Sequence, residues 1–127
     1  YATYGNREAD TIIVTYGRIS SEAIDAVDEL KDKSIDISLL VLNRIKPLPE
    51  EVLDILSTKK KIFFFEEGMR SGGIGEKIGS LLMEKGVNTK YYVTAVNDSF
   101  APQASVNDLI SMYKLDKDSI VNKILEN

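Results

Sequence analysis

The stretch from Phe63 to Gly79 most constrains what this chain can become. It reads Phe-Phe-Phe-Glu-Glu-Gly-Met-Arg-Ser-Gly-Gly-Ile-Gly-Glu-Lys-Ile-Gly. Consecutive phenylalanines suit a strand buried on both faces. The glycines suit a tight turn, and Ile74, Ile78, Leu81 and Leu82 then recur at helical spacing, with Gly86 as a stop. A strand that feeds a helix through glycines is the seam of a βαβ unit. Its turn lies at the carboxyl end of the strand, where open α/β sheets place function.

The same alternation runs along the whole chain. Residues 11–16, 35–42, 62–65 and 91–96 are short, β-branched or aromatic runs that read as strands. In the second of them Ile35, Ile37, Leu39 and Val41 share one face, and Leu40 and Leu42 take the other. Ser20 and Ser21 are placed to cap a helix whose inner positions are Ala23, Ile24, Val27 and Leu30. Pro49 opens another, with Val52, Leu53 and Leu56 inward. Ser105 and Asp108 have capping-box-like spacing. Asp116 caps a last helix that buries Ile120, Val121 and Ile124. Right-handed crossovers make this a parallel α/β/α sandwich, to which residues 1–4 add an edge strand free to run antiparallel.

A length of 127 residues suits one domain spanning 1–127. The chain starts at Tyr1, already in a strand-like stretch, which reads as a piece of something longer. With 16 basic and 20 acidic residues the net charge is −4, against a nucleic-acid surface. No apolar run approaches the roughly 20 residues of a membrane span, and no signal peptide is visible, so the expected setting is cytoplasmic. Cysteine and histidine are both absent. That removes disulfides, thiolate nucleophiles, the commonest metal ligand and the usual general base. No catalytic, cofactor-binding or metal-binding residue is assigned.

The candidate contact residues are therefore Glu66, Glu67, Arg70, Gly72, Gly73 and Gly75. Amides at a helix start bind anions, yet Gly73-Ile74-Gly75…Gly79 fits neither standard phosphate signature. The other reading is a tight turn, with Gly75 and Gly79 letting the helix lie close to the sheet or to a partner. Adjacent Glu66 and Glu67 point to opposite faces, so they are no acid–base pair; one of them can accept hydrogen bonds from amides of the turn. Arg70 meets a phosphate, a partner carboxylate or solvent. Lys59-Lys60-Lys61 reads as a solvated helix end, and Arg44 and Lys46 mark another strand end. Of Tyr91 and Tyr92, on what reads as an edge strand, one faces the core and the other water or a partner.

Glu66-Glu67-Gly68 followed by Gly72-Gly73-Ile74-Gly75 resembles the C-terminal domain of the thiamine-diphosphate-dependent transketolase family. The strand from Asp10 to Gly17 and Lys46-Pro47-Leu48 are similar to further motifs of that domain. Asp98-Ser99-Phe100-Ala101-Pro102-Gln103-Ala104-Ser105 and Leu115-Asp116-Lys117-Asp118-Ser119-Ile120 resemble its deoxyxylulose-phosphate synthase branch. The resemblance implies a mixed five-stranded sheet between helices, with residues 1–4 as the antiparallel strand. It implies a parent transferase that condenses pyruvate with glyceraldehyde 3-phosphate and releases carbon dioxide, feeding isoprenoid and thiamine synthesis. Thiamine diphosphate and magnesium belong, by the same resemblance, to two upstream domains of a homodimer. The family's Gly-Asp-Gly metal motif and catalytic histidines are absent here, so the isolated chain is expected to be structural and inactive, binding no cofactor alone. Two alternatives stand beside this: a transketolase half-enzyme or 2-oxoacid dehydrogenase β-subunit, and an autonomous small-anion-binding domain.

Overall fold

A computed structural model describes residues 1–43, 48–69, 73–96 and 114–127, with the side chains of Gly68, Met69 and Val96 left out. Five strands and four helices are described: β1 (Ala2–Gly5), β2 (Thr11–Tyr16), α1 (Ile19–Asp32), β3 (Ser38–Leu42), α2 (Glu50–Ser57), β4 (Lys61–Met69), α3 (Ile74–Glu84), β5 (Lys90–Val96) and α4 (Lys117–Glu126). The expected helix at Ser105 and Asp108, the segment from Asp98 to Ser105, and Arg44, Lys46 and Pro47 lie outside the described residues.

The sheet has the order β1-β3-β2-β4-β5. The strand β1 runs antiparallel to β3 and the other neighbours are parallel, as the family resemblance implies. Period-2 alternation divides the core in two. On one face Ile13, Leu39, Phe63 and Phe65 pack under α1 and α4, through Ala23, Leu30, Ile120 and Val121. On the other Ile12, Val14, Leu40, Ile62 and Phe64 pack under α2 and α3, through Val52, Leu56, Ile78 and Leu82. Burial of the central strands on both faces explains their nearly continuous apolar sequences.

Several local expectations need correction. Arg18 holds the N-cap of α1, which makes no side-chain cap bond. Ser20 and Ser21 sit inside the first turn, where the Ser21 hydroxyl donates back to the Arg18 carbonyl at 3.2 Å. Asp116 does occupy the N-cap of α4, again without a side-chain cap bond. Lys59 is not a solvated helix end. It is 7% exposed, and its ammonium donates to the carbonyls of Arg7 and Ala9 at 2.7 Å each. Having left the helix at Ser57, the chain turns Lys59 inward to pin the loop between β1 and β2.

Candidate functional site

The parallel strands β2 and β4 are neighbours, yet α1 leaves β2 toward one face and α3 leaves β4 toward the other. A crevice therefore opens between their carboxyl ends, the usual ligand position in an open α/β sheet. Here the chain's own side chains fill it.

The cause is an irregularity in β4. Pairing with β5 is regular to Phe65↔Thr94 and resumes at Met69↔Val96, so β4 advances four residues while β5 advances two. The strand thus continues over Glu66 and Glu67, where the sequence suggested it had ended. A bulge re-aims side chains and breaks the ladder locally. Thr15, buried at the end of β2, answers that break: its hydroxyl donates to the Phe65 carbonyl at 2.8 Å.

Glu66 is fully buried. Its Oε1 accepts from the Gly75 amide at 3.1 Å, and its Oε2 from the Ile74 amide at 3.3 Å and the Tyr16 hydroxyl at 2.9 Å. The carboxylate thus serves two donors that a helix start leaves without partners, and it lies at the favourable end of the α3 dipole. Of the two glutamates, this is the one that binds the turn amides. It occupies the place an external anion would take at Ile74 and Gly75. Glu67 turns the other way and pairs with the Arg18 guanidinium across the mouth of the crevice. That hydrogen bond raises the Arg18 pKa.

Gly75 and Gly79 bring α3 against the sheet. A Cβ on Gly75 would lie 3.0 Å from Glu66 Oε1 and 3.1 Å from both Phe64 Cδ1 and Val93 Cγ1. A Cβ on Gly79 would meet the Tyr91 ring at 2.9 Å. Tyr91 lies on β5 beneath α3, and its hydroxyl donates to the Gly75 carbonyl. Burial, and secondarily the Glu66 charge, push its pKa far above the ordinary 10.0. Tyr92 stacks on Phe63 at 4.8 Å between centroids, with Lys123 Nζ 5.6 Å above its ring. Both tyrosines are thus half-buried, one on each face, rather than one inward and one outward.

Gly73 is the N-cap of α3, in extended conformation. Arg70 and Gly72 lie outside the described residues. Thr15, Tyr16, Arg18 and Tyr91 are the braces that sequence reasoning missed. Two hydroxyl residues closing an otherwise apolar strand, at Thr15 and Tyr16, were the available signal.

The crevice does not fit thiamine diphosphate with magnesium. Glu66 and Tyr16 occupy it, and no group of three or more potential metal ligands exists among the described residues. No described helix is long and apolar enough to cross a membrane.

The family model described as transketolase, C-terminal domain, matches residues 1–120. A 1-deoxy-D-xylulose-5-phosphate synthase of Clostridium tetani is 30% identical over 115 residues, covering 90% of this chain and 19% of its own length. One from Clostridium perfringens is 33% identical over 94% of this chain and 20% of its own length. A transketolase C-terminal section of Methanocaldococcus jannaschii is 29% identical over 92% of this chain and 36% of its own length. Among solved structures, a split-gene transketolase, an inactive β4 tetramer, superposes with a TM-score of 0.80 at 22% identity. That match covers 98% of this chain and 40% of that one. The chain thus spans a fifth to about a third of the length of these sequence relatives.

Proposed function

Since this chain belongs to the transketolase C-terminal domain family, we propose that it serves as the C-terminal domain of a 1-deoxy-D-xylulose-5-phosphate synthase. The parent condenses pyruvate with glyceraldehyde 3-phosphate, with loss of carbon dioxide, in isoprenoid precursor synthesis. Upstream domains of that cytoplasmic parent hold thiamine diphosphate and magnesium, and this domain supports the subunit and its homodimer. The observation that carries this reading is the match of two clostridial synthases, at 30% and 33% identity, over at least 90% of the chain. The self-filled crevice agrees with a supporting rather than a reacting domain. Of the candidate contact residues, Glu67, Arg70, Gly72 and Gly73 are those offered to the upstream domains, since Glu66 and Gly75 bond each other. The test is an assay of the full-length protein from its source with pyruvate, glyceraldehyde 3-phosphate, thiamine diphosphate and magnesium. Formation of deoxyxylulose phosphate is expected, and a full-length protein without that activity would overturn the proposal.

A second reading is a transketolase half-enzyme, favoured by the Methanocaldococcus jannaschii relative. It predicts that native purification brings down a separate cofactor-binding subunit, and that the pair transfers two-carbon ketol units. A single long polypeptide with synthase activity excludes it.

A further inference from the structure

Away from the crevice, a groove of about 640 Å³ runs between β1, the loop after it and α2. Thr3, Arg7, Ser38, Thr58 and Lys59 supply its cationic and hydroxyl lining. Lys59 is more than nine-tenths buried. Its ammonium uses two of three donors on the Arg7 and Ala9 carbonyls, leaving one. Arg7 points Nε and Nη2 at Thr3 Oγ1, at 3.1 and 2.9 Å, which leaves Nη1 free of those bonds. Neither cation forms an ion pair with a described carboxylate.

A buried ammonium without a counter-charge is costly, and proteins ordinarily pair such groups. Acidic residues do line the groove, but Asp10 pairs with Lys60 at 3.5 Å and Asp54 with Lys85 at 3.7 Å. The remaining one, Glu8, is exposed. The bond from Lys59 to the Arg7 carbonyl ties the ammonium to the backbone of Arg7, whose side chain lines the same groove. We propose that this groove binds a compact oxyanion, the phosphate or carboxylate of a small metabolite, between Lys59 and Arg7. The inference is independent of the synthase reading, because it rests on charge and burial in this domain alone.

The test is an amide-shift titration of the 127-residue chain, with inorganic phosphate and separately with acetate, ionic strength being held by chloride. Saturable shifts are expected at Arg7, Glu8, Asp10 and Lys59. Saturation by phosphate alone assigns a phosphate group; saturation by acetate as well extends the site to carboxylates. Lys59→Met should abolish the response. Arg7→Gln, at an exposed position that leaves the fold intact, should raise the midpoint about tenfold. No saturation below roughly 50 mM of either probe, or a midpoint unchanged in Arg7→Gln, overturns the proposal.

Discussion

Glu66 does for this fold what a bound anion does for many α/β proteins. Both carboxylate oxygens accept hydrogen bonds, and glutamine cannot copy that pattern. Its amide nitrogen would face a donor, either the Gly75 amide or the pair formed by Ile74 and Tyr16. Charge-assisted bonds are worth about 1.5–3 kcal/mol, and a stranded buried donor costs a similar amount. Glu66→Gln should therefore lower the urea unfolding free energy by about 2 kcal/mol and speed hydrogen exchange at Ile74 and Gly75. A loss below about 0.5 kcal/mol would mean the cap contributes no more than an ordinary surface contact. Gly75→Ala tests the same junction from the other side. Alanine improves helix propensity by about 1 kcal/mol, but its Cβ would press on Glu66, Phe64 and Val93 at 3.0–3.1 Å. Crowding of this kind costs about 1–3 kcal/mol, so a net loss is expected in chemical denaturation. A stabilised variant would show that the contacts yield freely. Phe64, with no exposed surface, should cost about 3–5 kcal/mol on replacement by alanine; a loss below about 1 kcal/mol would place it outside the core.

At the scale of elements, α3 and β5 are joined by Tyr91, and that joint is sensitive to alkali. The Tyr91 pKa is raised above 10.0 in the folded protein, first by burial and then by Glu66. Above pH 10 the unfolded chain releases a proton that the folded chain keeps, so stability is complete below pH 10 and falls as pH rises further. The slope for one such group is about 1.4 kcal/mol per pH unit. Tyr91→Phe should remove that share of the alkaline decline, read as a shallower fall in unfolding free energy above pH 10. Equal slopes in the two proteins would exclude Tyr91 as its source. How far each element was legible depended on whether its signal was local. The central strands β2 and β4 and the stripes of α2, α3 and α4 follow from apolar periodicity; α2 and α4 bury the residues expected, and in α3 Ile78 and Leu82 are buried while Ile74 and Leu81 are only partly so. The bulge in β4 was not legible, because it depends on where β5 resumes pairing. With it went the choice between Glu66 and Glu67, and the roles of Thr15 and Tyr16. Lys59 misled for the same reason: its partners lie 50 and 52 residues away in sequence.

For the molecule as a whole, two features decide what it can do alone. Each face of the sheet is closed by the chain's own helices, α1 and α4 on one side and α2 and α3 on the other. A core of that kind needs no second subunit to exclude water, so the purified chain should fold cooperatively, with near- and far-ultraviolet dichroism lost in one coincident transition. The second feature is chemical. The sequence has no histidine or cysteine, and the crevice where a ligand would sit is filled by Glu66 and closed by Arg18 and Glu67. Folding and catalysis should therefore separate. The 127-residue chain, given pyruvate, glyceraldehyde 3-phosphate, thiamine diphosphate and magnesium, should release no carbon dioxide above the enzyme-free rate, whereas the full-length protein should. Turnover by the folded chain would place reacting groups in this domain and remove the supporting role. A chain that unfolds in separate steps would show instead that its two cores depend on surfaces the parent provides.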